Sequence, residues 1–149
     1  MKVENTVKLF KEIHPETVLL IKVGSFFHAY GKDSYILAYL FGYQIKKIQS
    51  NYSTCGFPLA GKAKVIAKLE EMQISYLVIN KADNYEVSEE EDYKTKNRYT
   101  EIFTKSHTYI TKKNRIDTIY QYLLENIHTE NLREKLTKVE EVIYETGKI

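Results

Sequence analysis

The segment Thr17-Val18-Leu19-Leu20-Ile21-Lys22-Val23-Gly24 constrains the fold of this chain more than any other. Its apolar residues, Val18 to Ile21 and Val23, are interrupted only by Lys22 and closed by Gly24. A short apolar run of this length with several β-branched members reads as a largely buried strand. Such a strand delivers the residues after it to an edge of the domain. Those residues are Ser25, Phe26, Phe27, His28, Ala29 and Tyr30, and Gly31-Lys32-Asp33 then reads as the entry to a helix. The reading places bulky aromatics where a strand turns into a helix, a junction at which function often resides.

The remaining elements follow from periodicity. Val7, Leu9, Phe10 and Ile13 form a helical stripe ended by Pro15, with Asn5 or Thr6 as its N-cap. Tyr35, Ile36, Tyr39 and Leu40 share a helix face that Gly42 terminates. Residues 43–48 and 52–57 read as a hairpin turned at Gln49-Ser50-Asn51, and Pro58 to Gly61 re-aims the chain into a helix carrying Val65, Ile66 and Leu69 inward. Ile74 to Asn80 is a second buried strand. Residues 81–92 read as an exposed acidic insertion, and a further strand is expected near Tyr99 to Thr104. Beyond Lys112, Ile116, Ile119, Tyr120, Leu123, Leu124 and Ile127 keep helical spacing, as do Leu132, Leu136, Val139, Val142 and Ile143 after a break at His128-Thr129. The expected architecture is a mixed α/β (α+β) fold, with a central mixed sheet flanked by helices and a C-terminal helical hairpin.

The formal charge of +2 over 149 residues hides a segregation along the chain. Residues 1–82 carry eleven lysines against six acids, residues 83–92 six acids alone, residues 93–115 seven bases against one acid, and residues 116–149 four bases against seven acids. Basic segments of this kind suit a polyanion, and they equally suit a solvated surface. Lys62, Lys64 and Lys68 fall on the first turns of the helix after Gly61, where the helix N-terminus also attracts phosphate. No window approaches ~18 uninterrupted apolar residues, and the charged start carries no apolar signal core, so the cytoplasm is expected and no membrane is involved.

Four motifs, in order, resemble one family. Gly24-Ser25-Phe26-Phe27-His28-Ala29-Tyr30 is similar to the G-D-F-Y-E-L-F signature of the N-terminal mismatch-recognition domain of MutS, the DNA mismatch-repair sensor. Lys11 with His14-Pro15-Glu16 resembles its K-x-x-H-P-E/D lead-in, Cys55-Gly56-Phe57-Pro58 its A-G-I/V-P, and Ala67-Lys68-Leu69 its A-K-L helix. The resemblance spans roughly residues 5–105 and implies a recognition domain over 1–110, followed by a helical appendage over 111–149. It further implies that Phe26 enters the minor groove as a wedge and stacks on a mispaired base. The family's glutamate two residues later, which bonds that base, is replaced by His28, a group that donates as well as accepts. Read without the resemblance, Phe26 and Phe27 can both pack in the core, with His28 capping the neighbouring helix.

Catalytic chemistry is not expected. His14, His28, His107 and His128 fall singly, Cys55 is the sole cysteine, and no metal or cofactor set is spaced for ligation. A G-x-x-x-x-G-K-[ST] phosphate loop does not occur in the 149 residues, so the ATPase of full-length MutS is not expected of them. Two functional readings remain. One is a freestanding module that binds mismatched, distorted or branched nucleic acid (DNA, RNA or a hybrid) through Phe26, His28, Lys62, Lys64 and Lys68. The other is an accessory subunit of a polymerase, reverse transcriptase or recombination complex, engaging a protein partner or a second copy of itself through residues 114–146. Salt-dependent binding to a mismatched duplex favours the first, and co-purification of a second polypeptide the second.

Overall fold

The structure, a computed structural model, describes residues 2–48 and 52–147. The chain divides into two compact units, Met1–Ile110 and Thr111–Ile149. The turn expected at Gln49-Ser50-Asn51 lies outside the described residues.

In the first unit a helix, α1 (Val3–Ile13), leads into β1 (Val18–Val23) and β2 (Phe26–Tyr30), followed by α2 (Lys32–Phe41). Next come β3 (Lys46–Lys47), β4 (Ser53–Pro58), a 3-10 turn at Leu59–Gly61 and α3 (Lys62–Glu71). The unit then adds β5 (Tyr76–Asn80), β6 (Glu86–Glu91) and the start of α4 (Tyr99–Glu125). The strands form one sheet in the order β3-β4-β2-β1-β5-β6. Only β1 and β5 pair in parallel, Val18 opposite Tyr76 through Lys22 opposite Asn80; the other neighbours are antiparallel. The fold is a mixed-sheet α+β domain with a C-terminal helical part.

The buried run of β1 is covered on both of its faces. On one face Val18 and Leu20 join Phe27, Ala29, Phe57 and Val78 beneath Ile36 and Leu37 of α2, Val65 and Leu69 of α3, and Tyr99 and Ile102 of α4. On the other, Leu19 and Ile21 pack with Leu77, Ile79 and Val7 of α1. The stripe of α1 is Val3, Val7 and Phe10, and the helix starts three residues earlier than an N-cap at Asn5 implies, with Lys2 at the N-cap. Leu9 and Ile13, expected inside, are exposed.

Two further expectations are corrected. The acidic segment contains an edge strand, β6, antiparallel to β5 with a bulge near Val78 and Ile79. Every residue of β6 is exposed, so its glutamates carry their charge along a sheet edge, a position where charge discourages edge-to-edge association. The strand expected at 99–104 is instead the first turns of α4. Buried Tyr99, Ile102, Ser106 and Ile110 recur at helical spacing, which a six-residue window is too short to show. Asn97 helps start that helix: its side-chain oxygen accepts from the backbone N–H of Tyr99 (3.2 Å) and of Ser75 (3.0 Å), and its amide donates to the Glu16 carbonyl (2.7 Å).

The second unit contains the remainder of α4 and α5 (Leu132–Gly147), separated by a turn. Leu132 is buried and the Lys135 ammonium sits 5.0 Å from the centre of the Tyr122 ring. Ile116, Ile119, Tyr120, Leu124, Ile127, Val142, Ile143 and Tyr144 are exposed. Among the described residues, no helix is long and apolar enough to cross a membrane.

Candidate nucleic-acid interface

The turn after β1 positions the aromatic segment. Gly24 has φ +61, in the left-handed region where glycine is unstrained, and Val23 pairs with Phe26, so Gly24 and Ser25 form a two-residue hairpin. The expected strand-to-helix junction is thus a β-hairpin, and the helix waits until Lys32. Strand alternation then separates the two phenylalanines. Phe27 turns into the core, 3% exposed and stacked on Phe57 at 5.5 Å, whereas Phe26 projects on the opposite face with 48% exposure. Phe26 pairs with Pro58 on β4, and the Leu59 N–H donates to the Ser25 carbonyl (3.2 Å), fixing the hairpin tip against the 3-10 turn.

His28, two residues on, shares the face of Phe26, and their ring centres lie 6.4 Å apart. It is opposite Gly56. A Cβ built on Gly56 would lie 3.1 Å from both Cε1 and Nδ1 of the imidazole, so the ring occupies the space a side chain there would need. The half-buried setting pushes the His28 pKa below its ordinary 6.5. At pH 7 the imidazole is therefore neutral, with one donor and one acceptor nitrogen. Phe26, His28, Gln44, Lys46, Thr54 and Gly56 border a groove of about 420 Å³.

The three lysines on α3 do not form the free cluster expected of a phosphate clamp. Lys62 is ion-paired with Glu89 of β6, Lys68 lies 3.7 Å from Glu71, and the Lys64 ammonium sits over the rings of Phe41 (5.5 Å) and Tyr43 (5.8 Å). Pairing of β6 with β5 brings Glu89 to the start of α3. Phe26 and His28 are thus brought together, and Lys62, Lys64 and Lys68 are drawn into other contacts.

The same face carries Tyr30, stacked on Tyr52, with Gly56 opposite His28 and Lys46 on the neighbouring strand β3, none of them among the expected site residues. The alternation of Phe26-Phe27-His28-Ala29-Tyr30 is the sequence signal for it, since a strand sorts these residues into an aromatic face and a core face.

These features define a class: a mixed-sheet α+β domain that presents an exposed aromatic ring from a hairpin tip. A family model described as MutS domain I matches residues 2–112. The chain belongs to the MutS domain I family, and that membership points, at the level of the family, to DNA binding and DNA mismatch recognition. No curated protein compared with the chain matches it.

Proposed function

We propose that this protein recognises mismatched, distorted or branched DNA by inserting Phe26 as a wedge at the disturbed base step. The observation that carries this reading is the exposed Phe26 ring at the hairpin tip of a MutS domain I chain. A wedge must be solvent-accessible beforehand, because unstacking one step already costs a few kcal/mol and leaves nothing over for unfolding the wedge's own surroundings. His28, behind it, contacts the displaced base as a neutral donor and acceptor. Recognition by these residues proceeds without nucleotide hydrolysis and without catalysis, in the cytoplasm.

The test compares binding of the intact chain to a duplex with one mismatch and to its fully paired counterpart. Phe26→Ala is expected to weaken mismatched-duplex binding about tenfold or more, the equivalent of a lost stacking contact of roughly 1–3 kcal/mol. Unchanged affinity in the folded variant would reject the wedge.

The imidazole adds a pH dependence. Because its pKa lies below 6.5, binding should be flat from pH 7 to 8 and strengthen only as pH falls below about 6.5, when an imidazolium forms beside phosphate. Stability should move the opposite way. A histidine whose folded pKa is depressed stabilises the fold above its unfolded pKa, and that contribution is lost as pH falls through the folded value. His28→Gln should abolish the rise in binding; an identical rise in that variant would assign the titration elsewhere.

A second reading, as a protein-interaction subunit, is favoured by the exposed apolar side chains of the second unit, of which Ile116 and Val142 are each 65% exposed. The two readings can hold together.

A further inference from the structure

The rings behind Phe26 continue across the sheet. Along β2, Phe26 and His28 have centres 6.4 Å apart, His28 and Tyr30 the same, and Tyr30 stacks on Tyr52 at 6.0 Å and 24°. We propose that this face of β2, β4 and β3 is a track for an unpaired strand of nucleic acid, with Phe26, His28 and Tyr30 each offering a stacking surface to one base and Lys46 meeting the backbone.

Three observations select that occupant. The first is spacing. The rings recur at the two-residue repeat of a strand, and that repeat is roughly twice the ~3.4 Å step of stacked bases in a duplex. Such a repeat suits bases already pulled apart along a stretched strand and mismatches a continuous base stack.

The second is the way the rings are seated. His28 occupies the space above Gly56, and a Cβ on Gly31 would lie 3.0 Å from the Tyr52 ring. Glycines beneath two of the rings let them settle on the backbone, and neighbouring β4 positions on this face carry only Thr54 and Pro58. The face is also concave on both sides of His28 and Thr54: the 420 Å³ groove lies toward Phe26, and a second hollow of about 620 Å³ lies toward Tyr30. α1 packs at the end of this same face, on the Leu19, Ile21, Leu77 and Ile79 side chains of β1 and β5, where it partly buries Tyr30 and Tyr52 and leaves Phe26 exposed.

The third is charge. Lys46 borders the first hollow and Lys2 the second, against one acid, Glu4. Among the described residues Lys46 has no carboxylate partner within ion-pair distance, unlike Lys62 and Lys68. Aromatic platforms beside a basic backbone contact are how single strands are held with little sequence preference.

The track shares Phe26 and His28 with the wedge reading, and Tyr30 and Lys46 separate the two. The experiment measures anisotropy of the intact chain with a labelled twelve-nucleotide oligothymidylate, its fully paired duplex, and a duplex with one mismatch. The single strand is expected to bind more tightly than the paired duplex. Tyr30→Leu, which keeps the apolar body packed near α1, should weaken single-strand binding about tenfold while mismatched-duplex binding changes by less than about threefold. Lys46→Glu, on an exposed position of β3, should weaken single-strand binding and flatten its salt dependence without altering the melting temperature. Because Lys46→Glu does not touch the core, it decides the matter even if Tyr30→Leu folds poorly. Single-strand affinity no greater than that for paired duplex, or unaffected by Lys46→Glu, would overturn the track while leaving the wedge to its own test. Single-strand binding that depends on Tyr30 and Lys46, with no preference for the mismatch, would uphold the track and reject the wedge.

Discussion

Replacing Asp33 with alanine should lower the melting temperature by on the order of 10 °C at neutral pH, from a loss of about 3–5 kcal/mol. Asp33 is 1% exposed at the start of α2, and its carboxylate gathers three other elements. One oxygen accepts from the Leu19 backbone N–H of β1 (3.0 Å); the other accepts from the Lys11 ammonium of α1 (3.0 Å) and the Tyr99 hydroxyl of α4 (2.6 Å). The Lys11 ammonium also donates to the Thr17 carbonyl and lies 5.0 Å from the centre of the Tyr99 ring. Alanine would strand a largely buried ammonium, a phenol and an amide together, and the cost of unpaired buried groups exceeds the net worth of the bonds themselves. A variant melting within about 3 °C of the parent would show that the cluster contributes little.

Burial raises the Asp33 pKa, with Lys11 first among the groups that pull it back down. A carboxyl whose folded pKa is raised favours the fold below its unfolded pKa, and that contribution is lost as pH rises through the folded value. Removing the cation with Lys11→Met should raise the folded pKa further. The deficit of that variant should therefore be greatest at neutral pH and shrink on acidification toward pH 4, as the carboxyl takes up a proton and no longer needs a cation. A pH-independent deficit would mean that Lys11 acts through its stem alone.

Phe27→Ala should be comparably damaging, at about 3–5 kcal/mol, while its neighbour Phe26→Ala should leave the melting temperature nearly unchanged. The reason is the pleat. Phe27 heads a stack that passes to Phe57 (5.5 Å), Tyr43 (5.3 Å) and Phe41 (5.4 Å), and its removal opens a cavity beneath α2 and α3. Phe26, facing the other way, fills no such space. Thermal melts of the two single variants check this pair, and equal losses would mean that the exposed ring is structural after all.

Much of the fold was written in local pattern. Val18 to Ile21 marked a largely buried strand, Gly42 marked the end of α2 and occurs there with φ +76, and Ile74 to Asn80 was recognisable as a buried strand. The family motifs implied an accessible Phe26, and the ring is exposed at the tip of a hairpin around Gly24 that replaces the expected strand-to-helix junction. Motif residues beyond the tip proved structural for a reason that sequence order hides. Lys11 reaches a carboxylate 22 residues away, and the Glu16 carboxylate accepts from the Thr100 hydroxyl 84 residues on (2.6 Å).

Tertiary pairing decided the rest. Residues 86–91 look like a solvated acidic loop until β5 offers them an open edge, and only then does Glu89 reach Lys62 at the start of α3. Tyr99 to Thr104 has strand-like composition, yet the core contacts of Tyr99 and Ile102 beside α2 and α3 select the helix. The aromatic track likewise depends on β4 lying beside β2 in a register that sets Gly56 against His28. Composition and periodicity determined which segments would be strands and helices wherever burial was two-sided or strongly periodic. Which charges are paired, and which rings share a face, depended on contacts between residues tens of positions apart, because the energy of an ion pair or a ring contact is set by distance in space and leaves no local pattern in the chain.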